Sequence, residues 1–221
     1  MLDFSFIWLL ISHLTVFFPL YIGFQQHRRK WIHSSICLLL TAIFSTIYHI
    51  PDLPTVDKDK FSFLGLDYNV YLGLDFFGSY FSILIILFSV IHPYIKSEYC
   101  DIILVLISFF SCFFSITSIP WYYFILFSFF ICLLYGNISR ETSLIYVLRM
   151  LYRFKLYSIL GFATLFLSIF MQYFFALFYD KENYPIYHGF WHFFMFLSSG
   201  FWIKWNNQLI DFHNFEDENR N

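Results

Sequence analysis

Tyr187-His188-Gly189-Phe190-Trp191-His192 lies inside an apolar run from Tyr184 to Trp205. Read as a helix, the run stacks two histidines, four residues apart, on one face. It is also long and apolar enough to cross a bilayer. An ionisable side chain inside a membrane span is costly, so two on one face call for a partner. Neutral imidazole is a common zinc ligand, and a metal would supply that partner. Two histidines bonded to neighbouring helices would account for the pair equally well, so the other spans must decide.

Composition sets the class. The chain has 221 residues, 59% of them hydrophobic and 13% charged, with a mean hydropathy of +0.64. Soluble domains carry about 25% charged residues, so this composition belongs to a membrane protein. A net charge of -2 leaves no basic footprint for nucleic acid. Cys37, Cys100, Cys112 and Cys132 form no C-x-x-C pair and no compact disulfide framework. Cys100 is a candidate for palmitoylation, although an unmodified thiol fits its position as well. The chain has no internal repeat and no low-complexity segment.

Seven apolar runs approach the ~20 residues that a span requires. They are Phe4–Phe24, Trp31–Ile50, Tyr68–Ile91, Ile102–Ser118, Trp121–Tyr135, Leu156–Tyr179 and Tyr184–Trp205. The predicted fold is therefore an all-α, seven-transmembrane helix bundle over residues 1–205. The remaining residues, 206–221, read as an acidic, disordered cytosolic tail. Asp3 precedes the first run where a signal peptide would carry basic residues, so that run is read as a retained span.

The basic residues orient the bundle. Arg28, Arg29, Lys30, Lys96, Arg140, Arg149, Arg153, Lys155, Lys204 and Arg220 fall on one side, and Lys58, Lys60 and Lys181 on the other. The positive-inside rule then places the N-terminus outside or in a lumen and the C-terminus in the cytosol. The sequon Asn137-Ile138-Ser139 falls on the cytosolic side, where it stays unmodified. Arg149 and Arg153 sit among Leu, Tyr and Phe. They suit either a basic flank of the sixth span or a helix lying on anionic lipid.

Polar residues within the spans mark the candidate site. His13 stands alone in the first span, with no partner at helical spacing, and carries little weight. Ser45 and His49 lie four apart near the outer end of the second span. Asp75 is two turns into the third span, and an aspartate at that depth is rarely tolerated without a partner. In the predicted topology Ser45, His49, Asp75, His188 and His192 all share the outer leaflet. His49, His188 and His192 with a water would form an open, four-coordinate zinc site. Asp75 would orient that water or take its proton, and Ser45 would hydrogen-bond the water or a polarised carbonyl.

Taken together, Ser-x3-His in the second span, Asp in the third and His-x3-His in the seventh resemble the signature of the CREST membrane hydrolase superfamily. That group includes alkaline ceramidases and the adiponectin and progestin receptors. Phe44-Ser45-Thr46-Ile47-Tyr48-His49, Leu74-Asp75-Phe76-Phe77-Gly78-Ser79 and Asn183-Tyr184 running on to His192 are most similar to its transmembrane-protein-8 and myomaker branch. The resemblance implies a multi-pass protein of the plasma membrane or an endomembrane. It also implies a zinc-dependent amidase or esterase whose partner is a membrane lipid, such as a ceramide, a phospholipid or a GPI-linked lipid. A second expectation from the same branch is a non-enzymatic membrane-remodelling or cell-fusion protein with a structural zinc. A third is a receptor or lipid-binding module. Myomaker lacks the signature serine and aspartate and ends in a cysteine-rich lipidated tail. This chain keeps Ser45 and Asp75 and has no cysteine after Cys132.

Overall fold

The computed structural model describes residues 4–25, 31–52, 56–91, 144–179 and 183–218. Within them the protein is mostly helical. Helix α1 (Phe4–Ser12), a 3-10 segment (His13–Val16) and α2 (Phe17–Gln25) form the first apolar rod. Helix α3 spans Ile32–Tyr48 and α4 spans Tyr68–Ile91. Between them, strands β1 (Ser62–Phe63) and β2 (Leu66–Asp67) pair antiparallel. Leu64 and Gly65 turn this hairpin at φ 52° and 78°; glycine adopts such values without strain, whereas leucine does so rarely. Helix α5 (Leu144–Arg153) leads into α6 (Lys155–Phe170), which widens to π geometry over Met171–Tyr179. The last helix, α7, runs unbroken from Tyr184 to Glu218. The expected fourth and fifth spans, the sequon, Cys100 and several of the orienting basic residues lie outside the described residues.

Three of these helices are long and apolar enough to cross a membrane: Phe4–Phe24, Ser34–Asp52 and Lys155–Phe175. Their burial pattern reverses that of a soluble bundle. Phe4, Ile7, Ile11, Leu14, Tyr21 and Phe24 form an exposed apolar stripe along the first rod. Leu156, Ile159, Phe162, Phe166 and Ile169 do the same on α6. Ser12, His13, Ser34, Ser35, Ser45, Ser158 and Ser168 are buried instead. Lipid accepts the apolar face, while polar groups need protein partners.

Helix α7 is the central post, packed by α1, α2, α4 and α6. Two clusters divide the interior. Val16, Ile22, Leu38, Ala42, Phe81, Phe196 and Ile203 join α2, α3, α4 and α7. Met150, Trp202, Trp205 and Leu209 join α5 to the far half of α7. Hydroxyl-to-carbonyl bonds stitch the helices together: Ser198 Oγ donates to Gly161 O (3.0 Å), Ser168 Oγ to Trp191 O (3.0 Å) and Ser35 Oγ to Pro19 O (3.2 Å). Contacts of this kind are how helices associate where lipid is as apolar as leucine.

The chain beyond Trp205 differs from expectation. Residues 206–218 continue α7 rather than forming a disordered tail. Asn206, Asn207, Leu209 and Ile210 are buried there, and Trp31 Nε1 donates to Asn206 Oδ1 at 3.2 Å. The acidic composition of the last residues concealed this, because the anchoring side chains lie before them. Arg153 also stacks its guanidinium over the Phe212 ring at 3.8 Å, a cation–π contact that ties α5 to this extension.

Close approach at Gly189 sets how α1 docks. A Cβ there would lie 2.7 Å from Trp8 Nε1 and 3.3 Å from the Leu9 backbone. Gly189→Val gains a few tenths of a kcal/mol in helix propensity but overpacks this contact by about 1–3 kcal/mol. It should lower the thermal unfolding midpoint of the purified protein in detergent, and an unchanged midpoint would reject the tight α1–α7 contact.

Candidate metal centre

Pro51 starts the construction of the site. Proline cannot continue a helix, so α3 ends at Tyr48 and His49 becomes its C-cap, with its N–H on Ser45 O at 3.1 Å. The chain turns through the 3-10 segment Ile50–Asp52, and Asp52 N–H bonds back to His49 O at 3.1 Å. That turn carries the Asp52 carboxylate to His49 Nδ1, 2.8 Å away. Asp52 Oδ1 also accepts from Lys58 Nζ at 2.7 Å. This hydrogen bond holds the Lys58 ammonium above its ordinary range.

On α7, His188 and His192 are stacked as their spacing predicts, and both are buried. His188 Nε2 lies 3.2 Å from His49 Nε2 and 3.1 Å from His192 Nε2. Asp75 reaches the group from α4, with Oδ1 3.9 Å from His192 Nε2. One ligand atom from each of His49, Asp75, His188 and His192 falls within 4.8 Å of all the others. These four residues can hold a metal ion.

Hydrogen bonding on the outer side of the rings argues for a cation. A carboxylate oxygen only accepts, so His49 Nδ1 carries the proton that points at Asp52. His188 Nδ1 lies 2.9 Å from Gln172 Oε1 and 3.2 Å from the Tyr184 hydroxyl. The amide oxygen likewise only accepts, so this Nδ1 is also protonated. Both Nε2 atoms then present lone pairs to each other at 3.2 Å with no proton between them. Lone pairs at that distance repel, and a shared cation turns the repulsion into coordination. Metal–nitrogen bonds of ~2.0–2.1 Å in a tetrahedral site would set the nitrogens about 3.3 Å apart. The observed spacing fits.

All five expected site residues are brought together. Ser45 Oγ lies 3.4 Å from His192 Nε2 and within hydrogen-bonding contact of Asp75. Beside them a narrow cavity between α3, α4 and α7 is lined by Thr41, Asp75, Gly78, Ser82, Trp191, His192, Met195 and Phe196.

Four further residues belong to the site. His13, given little weight from sequence, is 3% exposed. Its ring centroid lies 4.3 Å from that of His192, and its Nε2 is 2.8 Å from Ser45 Oγ. Its partner is on another span, so helical spacing gave no sign of it. Asp52 and Tyr184 had a signal, lying three residues after His49 and four before His188. Gln172 offered only its polarity inside the sixth apolar run, because the π stretch alters the register of its helix.

The family described as "Protein of unknown function (DUF3522)" matches residues 3–193, and the chain belongs to it. No curated protein and no solved structure matches the chain. His13, Ser45, His49, Asp52, Asp75, Gln172, Tyr184, His188 and His192 all lie within the matched residues.

Asp52 would act on a bound metal ion through His49, since carboxylates behind ligating histidines fix their tautomer. Asp52→Asn should weaken affinity for a divalent metal ion about 10–100-fold and leave the helical content unchanged. Chelator competition on purified protein measures the first and circular dichroism the second. Lys58→Ala should change affinity less.

Proposed function

We propose that this protein is a zinc-dependent membrane hydrolase that cleaves an amide or ester of a membrane lipid in the outer or lumenal leaflet. The observation that carries the reading is the convergence of His49, His188 and His192 with Asp75 and Ser45 in one buried group. Three imidazoles are a donor set suited to zinc in an open site, with the Asp75 carboxylate beside it. The resemblance to CREST hydrolases points to the same residues.

Zinc, when bound, supplies a Lewis acid that polarises a carbonyl and lowers the pKa of water from ~15.7 to about 7. The chain's own groups do the rest. His49, His188 and His192 hold the metal, and Asp52 and Gln172 fix two of their tautomers. Asp75 orients the attacking water and takes its proton, help worth ~10²–10⁴-fold in rate. Ser45 offers a hydroxyl at the reacting carbonyl. Seven spans, with the N-terminus outside and the C-terminus in the cytosol, would place this group where an outer-leaflet lipid can reach it. A C-terminal tag should be accessible only after cells are permeabilised. External access in intact cells would reverse the orientation.

A second reading keeps the metal but not the chemistry. Here zinc staples α3 to α7, and the protein remodels or fuses membranes. Asp75 separates the two, because a staple has no use for a base.

Purified protein should contain one zinc per chain, lost in the His188→Ala/His192→Ala double variant. Stoichiometric zinc persisting in that variant would reject the ligand set. Asp75→Asn should retain zinc and fold but lose lipid turnover. Lipidomic comparison with wild type, at matched expression and zinc content, reads the outcome. A normal cell phenotype without product in either protein would reject the hydrolase and leave the staple.

A further inference from the structure

We infer that the exposed face of α5 is a binding site for anionic phospholipid, on the membrane face away from the metal centre. The site is independent of the chemistry at that centre. Its basis is how α5 is set into the bundle. Met150 is buried against Trp202, Trp205 and Leu209, with Tyr146, Leu151 and Phe154 packed alongside. The opposite face is exposed and mixes two chemistries, with Ile145, Leu148 and Tyr152 beside Arg149 and Arg153. These five positions follow the three- and four-residue spacing of a single helical face.

Packing along α7 fixes the depth of α5. Ser168 bonds to Trp191 and Ser198 to Gly161, so α6 and α7 run antiparallel, and α5 meets α7 at Trp205 and Leu209. At a rise of 1.5 Å per residue, His192 and Leu209 stand about 26 Å apart along that helix, close to the ~30 Å of a hydrocarbon core. In the proposed orientation α5 therefore lies at the cytosolic face, where anionic lipids gather. Phe154 interrupts the helix at φ -103° and ψ 41°, and Ser158 Oγ donates to Leu151 O across the break at 2.9 Å. Helix α5 is thus separate from the span that follows it. Beyond the break, Leu156, Ile159 and Phe162 carry the exposed apolar surface on along α6. A basic flank that only emerged into water would have no reason to expose Ile145, Leu148 and Tyr152.

Charge selects the lipid. No Asp or Glu occurs between Glu141 and Asp180. Among the described residues, no carboxylate forms an ion pair with Arg149, Arg153 or Lys155. Arg153 holds its guanidinium 3.8 Å from the centroid of the Phe212 ring, a contact that restricts a side chain whose ordering would otherwise oppose binding. Arg149 lies one turn away on the same face, and Lys155 Nζ is 5.7 Å from the centroid of the Tyr152 ring. Guanidinium forks recognise phosphate. A basic helix with an apolar face suits a surface of anionic lipid.

The test uses the full chain in detergent, with native mass spectrometry counting lipids retained from an equimolar mixture of phosphatidylserine and phosphatidylcholine. Wild type should retain phosphatidylserine preferentially. Each cation at an anionic surface is worth about fivefold in affinity, so Arg149→Gln/Arg153→Gln should lose ~30-fold for phosphatidylserine. Phosphatidylcholine retention should not change. Arg149→Gln/Lys155→Gln spares the contact with Phe212, should show a similar loss, and carries the test if the first variant unfolds. Lys60→Gln, an exposed lysine near the other end of the bundle, should behave as wild type. Equal retention of the two lipids by wild type, an undiminished preference in either folded double variant, or an equal loss in Lys60→Gln would overturn the site. Displacement of phosphatidylserine by inorganic phosphate, but not by sodium chloride at matched ionic strength, would reassign it to a free anion and overturn it as well.

Discussion

Three imidazole nitrogens facing one another across α3 and α7 are the constraint on which the rest of this bundle depends. His49, His188 and His192 are each under a tenth exposed, and in lipid a polar group must find its partner within the protein. Their mutual distances of 3.1 and 3.2 Å require the end of α3 to be drawn onto the start of α7. Gly189 lets α1 come close on one side. Hydroxyl-to-carbonyl bonds hold α6 on the other. The buried polar groups and the apolar outer stripes follow from the same requirement, since Ser12, His13, Ser158 and Ser168 are buried while Phe4, Phe24, Phe162 and Phe166 are exposed.

The supports behind the rings are specific to each. A proline-ended helix brings Asp52 to His49, and a π stretch brings Gln172 to His188. Each acceptor fixes one tautomer and therefore which nitrogen faces inward. Such control matters equally to a catalytic metal and to a structural one. The features that favour catalysis lie next to the ligands: the Asp75 carboxylate, and a Ser45 hydroxyl engaged by His13. Both groups are buried, and a carboxylate kept out of water is costly unless it is partnered.

Helical class, membrane-like character and the set His49, Asp75, His188 and His192 were legible in the sequence. Hydropathy marks helix ends in lipid almost directly, and a spacing of four places His188 above His192 whatever surrounds them. Pro51 and the position of Asp52 were equally local. Where the polar group has its partner on another helix, spacing carries no information. His13 looked solitary for that reason, although its ring lies 4.3 Å from that of His192. Gln172 stood out only as a polar residue in an apolar run, because a π turn changes which face its side chain occupies.

The sequence by itself determined the membrane-like helical class and which side chains are too polar to lie in lipid unpartnered, because both depend on local composition and helical period. The tertiary structure decided who partners whom. It continued α7 past Trp205 through Asn206, anchored by Trp31 from a different helix. It brought the Leu9 carbonyl, His13 and Ser45 into one series. Such pairings join residues far apart in the chain, and only packing of one helix against another fixes the distances between them.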